Sequence, residues 1–181
     1  SEPQVVPVDL PPEKYTWNGT GPVLQVSPER WIYTLETWKP DGYEGPPDQK
    51  SAAVISTDAG KTWGELTVTA DDPQNKLMYY DQMGSILSDG RVCILLWTHV
   101  DGTSEDLNNH SIVSVDEGRS WSAPKPTNLR GQVCAPIGLA DGRVAAVYNL
   151  RHEPQGVHIA LSDDLEHFDV DNEVVVFDAG A

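Results

Sequence analysis

The sequence predicts an all-β chain, a β-propeller of four-stranded antiparallel blades, and three observations carry that prediction. No segment of helical length shows a sustained apolar stripe at the helical period. Short apolar runs rich in β-branched and aromatic residues alternate instead with Gly, Pro, Asp and Ser turns. Two short motifs also recur and interleave, the sign of a repeat architecture. The first reads Ser-x-Asp-x-Gly-x-[Ser/Thr]-Trp: Ser56, Asp58, Gly60 and Trp63, then Ser114, Asp116, Gly118 and Trp121. A worn third copy runs from Ser162 through Asp164 to Phe168, without the glycine and one residue short. The second motif is a Leu-x-Asp-Gly-Arg turn at 87–91 and 139–143, 52 residues apart, with Val26-Ser27-Pro28-Glu29-Arg30 in the same place of an earlier unit.

Each unit reads strand, tight turn, strand, longer polar stretch, strand, motif turn and outer strand. An Asp-Gly pair between apolar runs marks a hairpin, because glycine tolerates positive φ. The first unit gives strands at 22–26, 31–38, 51–57 and 64–69. The second gives 82–87, 91–98, 109–115 and a strand after Trp121; the third gives 132–139, 143–150, 156–162 and 169–177. Four strands in about 50 residues is the size of a propeller blade. The predicted blades are 21–70, 71–128 and 129–181. Residues 1–20 are read as the outer strand of a preceding blade and a linker, because Ser1-Glu2-Pro3 resembles the Ser122-Ala123-Pro124 that follows Trp121.

The chain has 181 residues and a formal charge of −16, from 12 Lys and Arg against 28 Asp and Glu. That field repels a polyanion, which argues against a nucleic-acid surface. No apolar run approaches the roughly 18 residues of a membrane span, and Ser1-Glu2-Pro3-Gln4 does not read as a secretion signal. Cys93 and Cys134 read as small core residues of neighbouring blades, with a disulfide between them left open. His99 and His152 lack metal-ligand spacing, so neither a metal nor a cofactor is expected.

Strand counting sorts the loops onto two faces. The tight turns and the Ser-x-Asp-x-Gly turns share one, where Asp58 and Asp116 serve the backbone rather than chemistry. The longer segments at 38–50, 70–81, 99–108, 124–131 and 151–155 share the other, the place for binding groups on a rigid scaffold. Strand mouths there gather Asp81, Glu36 and Glu153 as candidate catalytic acids. Gln82, Arg130, Gln132, Arg151, His152, His99, Trp38 and Tyr80, with Trp97, are candidate substrate contacts. Carboxylates beside aromatic platforms suit sugars: an acid protonates the leaving oxygen, and ring faces stack on C–H surfaces. The bland readings are solvated loop acids, and tryptophans packed between blades.

The two motif copies and the decayed third resemble the Asp-box, or BNR, repeats of the sialidase superfamily. That resemblance implies a six-bladed propeller of which this chain is about half. It also implies a glycan substrate bound opposite the Asp boxes, and an extracellular or periplasmic location. Asp boxes also occur in non-catalytic propellers and sorting receptors. A sialidase is expected to hold its substrate with three arginines and to attack with a glutamate-activated tyrosine, with an aspartic acid as proton donor. Here Arg30, Arg91 and Arg143 follow turns on the wrong face and Arg119 lies in a box, leaving Arg130 and Arg151. No residue is assigned the nucleophile. Three readings follow: a sialidase-like glycoside hydrolase or part of one, a non-catalytic propeller binding glycan or protein, and a half-ring closed by a second copy. In each, the partners are a glycan or glycoconjugate and the remainder of the propeller.

Overall fold

A computed structural model describes residues 16–40, 42–45 and 48–180. They form three four-stranded antiparallel sheets, each a simple meander, with no α-helix among the described residues. The first blade holds β1 (Thr16–Gln25), β2 (Trp31–Trp38), β3 (Ser51–Ser56) and β4 (Gly64–Ala70). The second holds β5 (Leu77–Ile86), β6 (Val92–Val100), β7 (His110–Ser114) and β8 (Lys125–Pro126). The third holds β9 (Cys134–Gly138), β10 (Val144–Leu150), β11 (Gly156–Ser162) and β12 (Val174–Asp178), with a 3-10 turn at Val170–Asn172. The innermost strands β1, β5 and β9 pack side by side.

The three four-stranded sheets match the expected strand count, with strand ends that differ from the expected ones. The first strand begins at Thr16 rather than 22, so 16–20 is not a linker. Polar Asn18 and Gly19 pair with Glu36 and Leu35 of β2 before the register slips over 20–22, and a Cβ on Gly19 would run into the Tyr33 ring. The proposed outer strand of a preceding blade falls otherwise in residues 1–15, outside the described residues. The second blade's outer strand shrinks to Lys125–Pro126, and the third's gives its start to the 3-10 turn.

The second and third copies of the repeated motif close their blades onto the one before. In the first two copies the serine hydroxyl accepts from the glycine N–H (Gly60 and Gly118, both 2.8 Å) and donates to the aspartate (Asp58 and Asp116, both 2.8 Å). The aspartate then takes the N–H and hydroxyl of Thr62 or Ser120. Those hydroxyl and N–H donors hold both carboxyls at about 2. The worn copy keeps the bonds to Ser162 and Asp164, with Leu165 in the left-handed region at φ 70° and His167 in the hydroxyl's place.

Gly118 lies against Ile32 of the first blade, and buried Arg30 donates from Nε to Glu117 O at 2.9 Å. Leu165 likewise packs with Leu87 and Cys93 of the second blade, while Lys125 meets Glu166 at 2.7 Å. Trp121 and Phe168 fill the seams. Both cysteines are buried free thiols, which settles the open disulfide. These contacts put turns and motifs on one face, as strand counting predicts.

Candidate functional site

On the opposite face, β2, β5 and β6 bring five predicted residues together. Between Tyr80 and Met83 the β5–β6 register slips. The bulge turns Asp81 outward with φ at 48°, a left-handed backbone that bulges beside functional sites often use. Its N–H donates to Glu36 Oε2 at 3.0 Å, and Asn18 Nδ2 donates to Glu36 Oε1 at 3.2 Å. Glu36, Tyr80, Asp81, Trp97 and His99 line a cleft of about 290 Å³.

The two acids differ in environment. Burial raises the Glu36 carboxyl to about 7, helped by the nearby Asp81 charge and opposed by the two N–H donors. Asp81 is also raised by burial, but Arg151 pulls it back. Burial and the Glu36 charge push the Tyr80 hydroxyl well up, away from an activated nucleophile.

The floor is aromatic. Tyr80 lies between Trp38 and Trp97, with ring centroids 6.1 and 5.3 Å away, and the Arg151 guanidinium covers Trp97 at 5.2 Å. Asp106 fixes this ridge: Oδ1 accepts from Trp97 Nε1 at 2.9 Å and lies 2.9 Å from His99 Nδ1, while Oδ2 accepts from Gln132 Nε2 at 2.9 Å. Burial would raise its carboxyl, but these bonds outweigh it and hold it low. His99 Nε2 faces Thr103 O at 3.0 Å, so both ring nitrogens face oxygen atoms of the same loop. The sequence placed the 99–108 loop on this face but did not single out Asp106 among its acids. No repeat marks it.

The remaining candidates divide. Arg130, Gln132, Arg151, His152 and Glu153 line a second cleft of about 440 Å³ with Ser104 and Asp106. Glu153 thus stands on an exposed loop outside the Glu36–Asp81 cleft, which corrects its grouping with those two acids. Gln82 is corrected too. It is fully buried, its amide donates to Leu35 O and Ala52 O and accepts from Thr69 Oγ1, so it ties the second blade to the first. Among the described residues, no group of three His, Cys, Asp or Glu is arranged to hold a metal ion. No helix there is long and apolar enough to cross a membrane.

No protein-family model matches the chain, and no curated protein matches it in sequence. Solved structures do match. A crystal structure of a protein of unknown function from Dyadobacter fermentans DSM 18053 is 22% identical with a TM-score of 0.77, over 100% of this chain and 50% of that one. A Hadza microbial sialidase is 15% identical with a TM-score of 0.62, over 84% of this chain and 37% of its own. The fold is a sialidase-like propeller. An α-L-arabinanase of Penicillium chrysogenum, complexed with arabinobiose, is 13% identical with a TM-score of 0.56, over 81% of this chain and 43% of its own. The chain therefore spans half or less of the length of these three structures. At such identities the likeness establishes architecture, and chemistry has to be argued from the site.

Proposed function

We propose that this chain is part of a sialidase-like glycoside hydrolase acting on glycans at the face opposite its Ser-x-Asp-x-Gly turns, which are Asp boxes. One observation carries the reading: two carboxyl groups of different environment, Glu36 and Asp81, meet in one aromatic-floored cleft. Glu36, with its carboxyl raised to about 7, is the proton donor. Its proton goes to the glycosidic oxygen as the C–O bond breaks, and the bond electrons leave with that oxygen. Asp81 is the carboxylate that faces the electron-poor ring carbon or takes a proton from the attacking water. Water supplies the hydroxyl, and the one proton it gives up returns to Glu36, directly or by way of Asp81.

The rest of the ring is the other partner, from the same parent chain or a second copy. Supporting this, the third blade exposes Ile137 and the β12 residues Val174, Val175, Val176 and Phe177. On this reading the blades divide at 21–70, 71–128 and 129–181, and the protein works outside the cell or in the periplasm. The test is turnover of a panel of aryl glycosides by the protein and by Glu36→Gln. Turnover that Glu36→Gln abolishes supports the proposal. Absence of turnover, or full activity in the variant, rejects it.

A binding-only propeller is favoured by one observation: Tyr80 is pushed away from ionisation, and only Arg130 and Arg151 are on this face. Glycan binding without hydrolysis is its signature.

A further inference from the structure

Glu36 and Tyr80 line not one cleft but two. Beyond the Glu36–Asp81 cleft, a second hollow of about 410 Å³ opens on the other side of the same residues, lined by Thr16, Trp17, Asn18, Thr37 and Trp38. This lining holds one acid, Glu36, and no Lys, Arg or His, whereas the hollow around Arg130 and Arg151 is crowded with charge. Trp38 is 39% exposed at the end of β2, its ring tilted 51° to Tyr80.

Three polar side chains of this hollow are already engaged. The Thr37 hydroxyl donates to Asp48 O at 2.9 Å and accepts from Lys50 N at 2.7 Å. Asn18 Nδ2 is held by Glu36, and the Thr16 hydroxyl reaches Lys39 O at 3.4 Å. What the hollow offers a ligand is aromatic surface, with few groups to read a pattern of hydroxyls.

We infer that the Trp38–Tyr80 hollow is a second-ring subsite: it receives the neutral ring on the leaving side of the glycosidic oxygen, recognised by its flat face. The inference rests on the glycan reading above. A chain of two rings that fills both hollows must cross the ridge at Tyr80, which brings the bridging oxygen to Glu36. A sugar with an apolar C–H face and an aryl group share the required chemistry. An anionic ring does not fit, because no Lys, Arg or His lines the hollow and the chain as a whole is strongly acidic.

The test is calorimetric binding of methyl glycosides, the matching phenyl glycosides and the matching disaccharides, over a panel of hexoses and pentoses. For the sugar that binds, the phenyl glycoside and the disaccharide are each expected to bind about tenfold tighter than the methyl glycoside. Trp38→Ala is expected to bring that ratio close to one, and Trp38→Phe to keep most of it. Lys61→Ala, on the opposite face, should leave the ratio unchanged. Near-ultraviolet dichroism of each variant checks folding, and the Phe variant carries the comparison if the Ala variant unfolds.

Equal affinities in the unsubstituted protein, or a ratio that survives Trp38→Ala, would overturn the inference. A gain with the phenyl glycoside but none with any disaccharide would limit the hollow to aryl groups and overturn the sugar ring as its occupant. The ratio found without turnover would reject the hydrolase reading and leave the subsite standing. No binding by any member of the panel would overturn both.

Discussion

Gln132 Nε2 of the third blade donates to Asp106 Oδ2 at 2.9 Å, in the loop that follows the second blade's β6. The bond makes one acid the common anchor of two blades and of the aromatic ridge. Asp106→Ala removes the acceptor of Trp97, His99 and Gln132 together. Expected is a loss of about tenfold in phenyl-glycoside affinity, with a change in tryptophan fluorescence as Trp97 is released. Asp106→Asn, which keeps the size and one acceptor oxygen, should lose less. Titration calorimetry and emission spectra check both.

Gln82 makes a contrasting case, since its amide is spent inside the protein. Gln82→Leu strands Leu35 O, Ala52 O and the Thr69 hydroxyl in a dry seam. The expected cost is about 1–3 kcal/mol per group left unpaired. Chemical denaturation should show a lower midpoint with an unchanged slope.

Glu36 sets a pH dependence whose sign is fixed by its raised value. Below its ordinary value of 4.5, folded and unfolded chains both hold the proton; between 4.5 and about 7 only the folded chain does. Folding then takes up a proton, so stability falls as pH rises through that window and levels off above it. The fall is about 3 kcal/mol for this buried group. Glu36→Gln should flatten that part of a melting-temperature profile, and hydrolysis should decline above pH 7 as the proton donor ionises.

Two glycines with positive φ separate conformation from packing. Gly142, at φ 94°, has open space around it, so Gly142→Ala should cost about 1 kcal/mol. Gly118, at φ 81°, would place a Cβ 2.5 Å from the buried Ile32 Cδ1. Gly118→Ala should cost about 1–3 kcal/mol more, visible as a clearly lower thermal midpoint.

The fold was legible because its punctuation is local. Asp58 and Asp116 bind donors within four residues, so a short motif carries the whole turn. Leu165 shows how the motif survives losing its glycine: the backbone still turns left-handed, and the side chain fills a seam. The site was less legible. Gln82 and Asp81 are neighbours in the sequence, yet the β5 bulge sends one into the interior and the other into the cleft. Asp106 reaches Trp97, His99 and Gln132 across nine, seven and 26 residues, and no spacing announces such contacts. The start of β1 was missed because its polar, glycine-containing stretch reads as a loop until Tyr33 is seen to occupy the space above Gly19.

The bond from Arg30 to Glu117 spans 87 residues and runs from the first blade's turn to the second blade's motif. During synthesis, the first sheet therefore emerges with Ile32 and Ile55 bare, and its cover is complete only once Val92, Gly118 and Trp121 have all left the ribosome. A translational pause between the two would prolong the life of that sticky intermediate, which makes the timing of elongation, as well as the sequence itself, a determinant of how much of the protein reaches its native state.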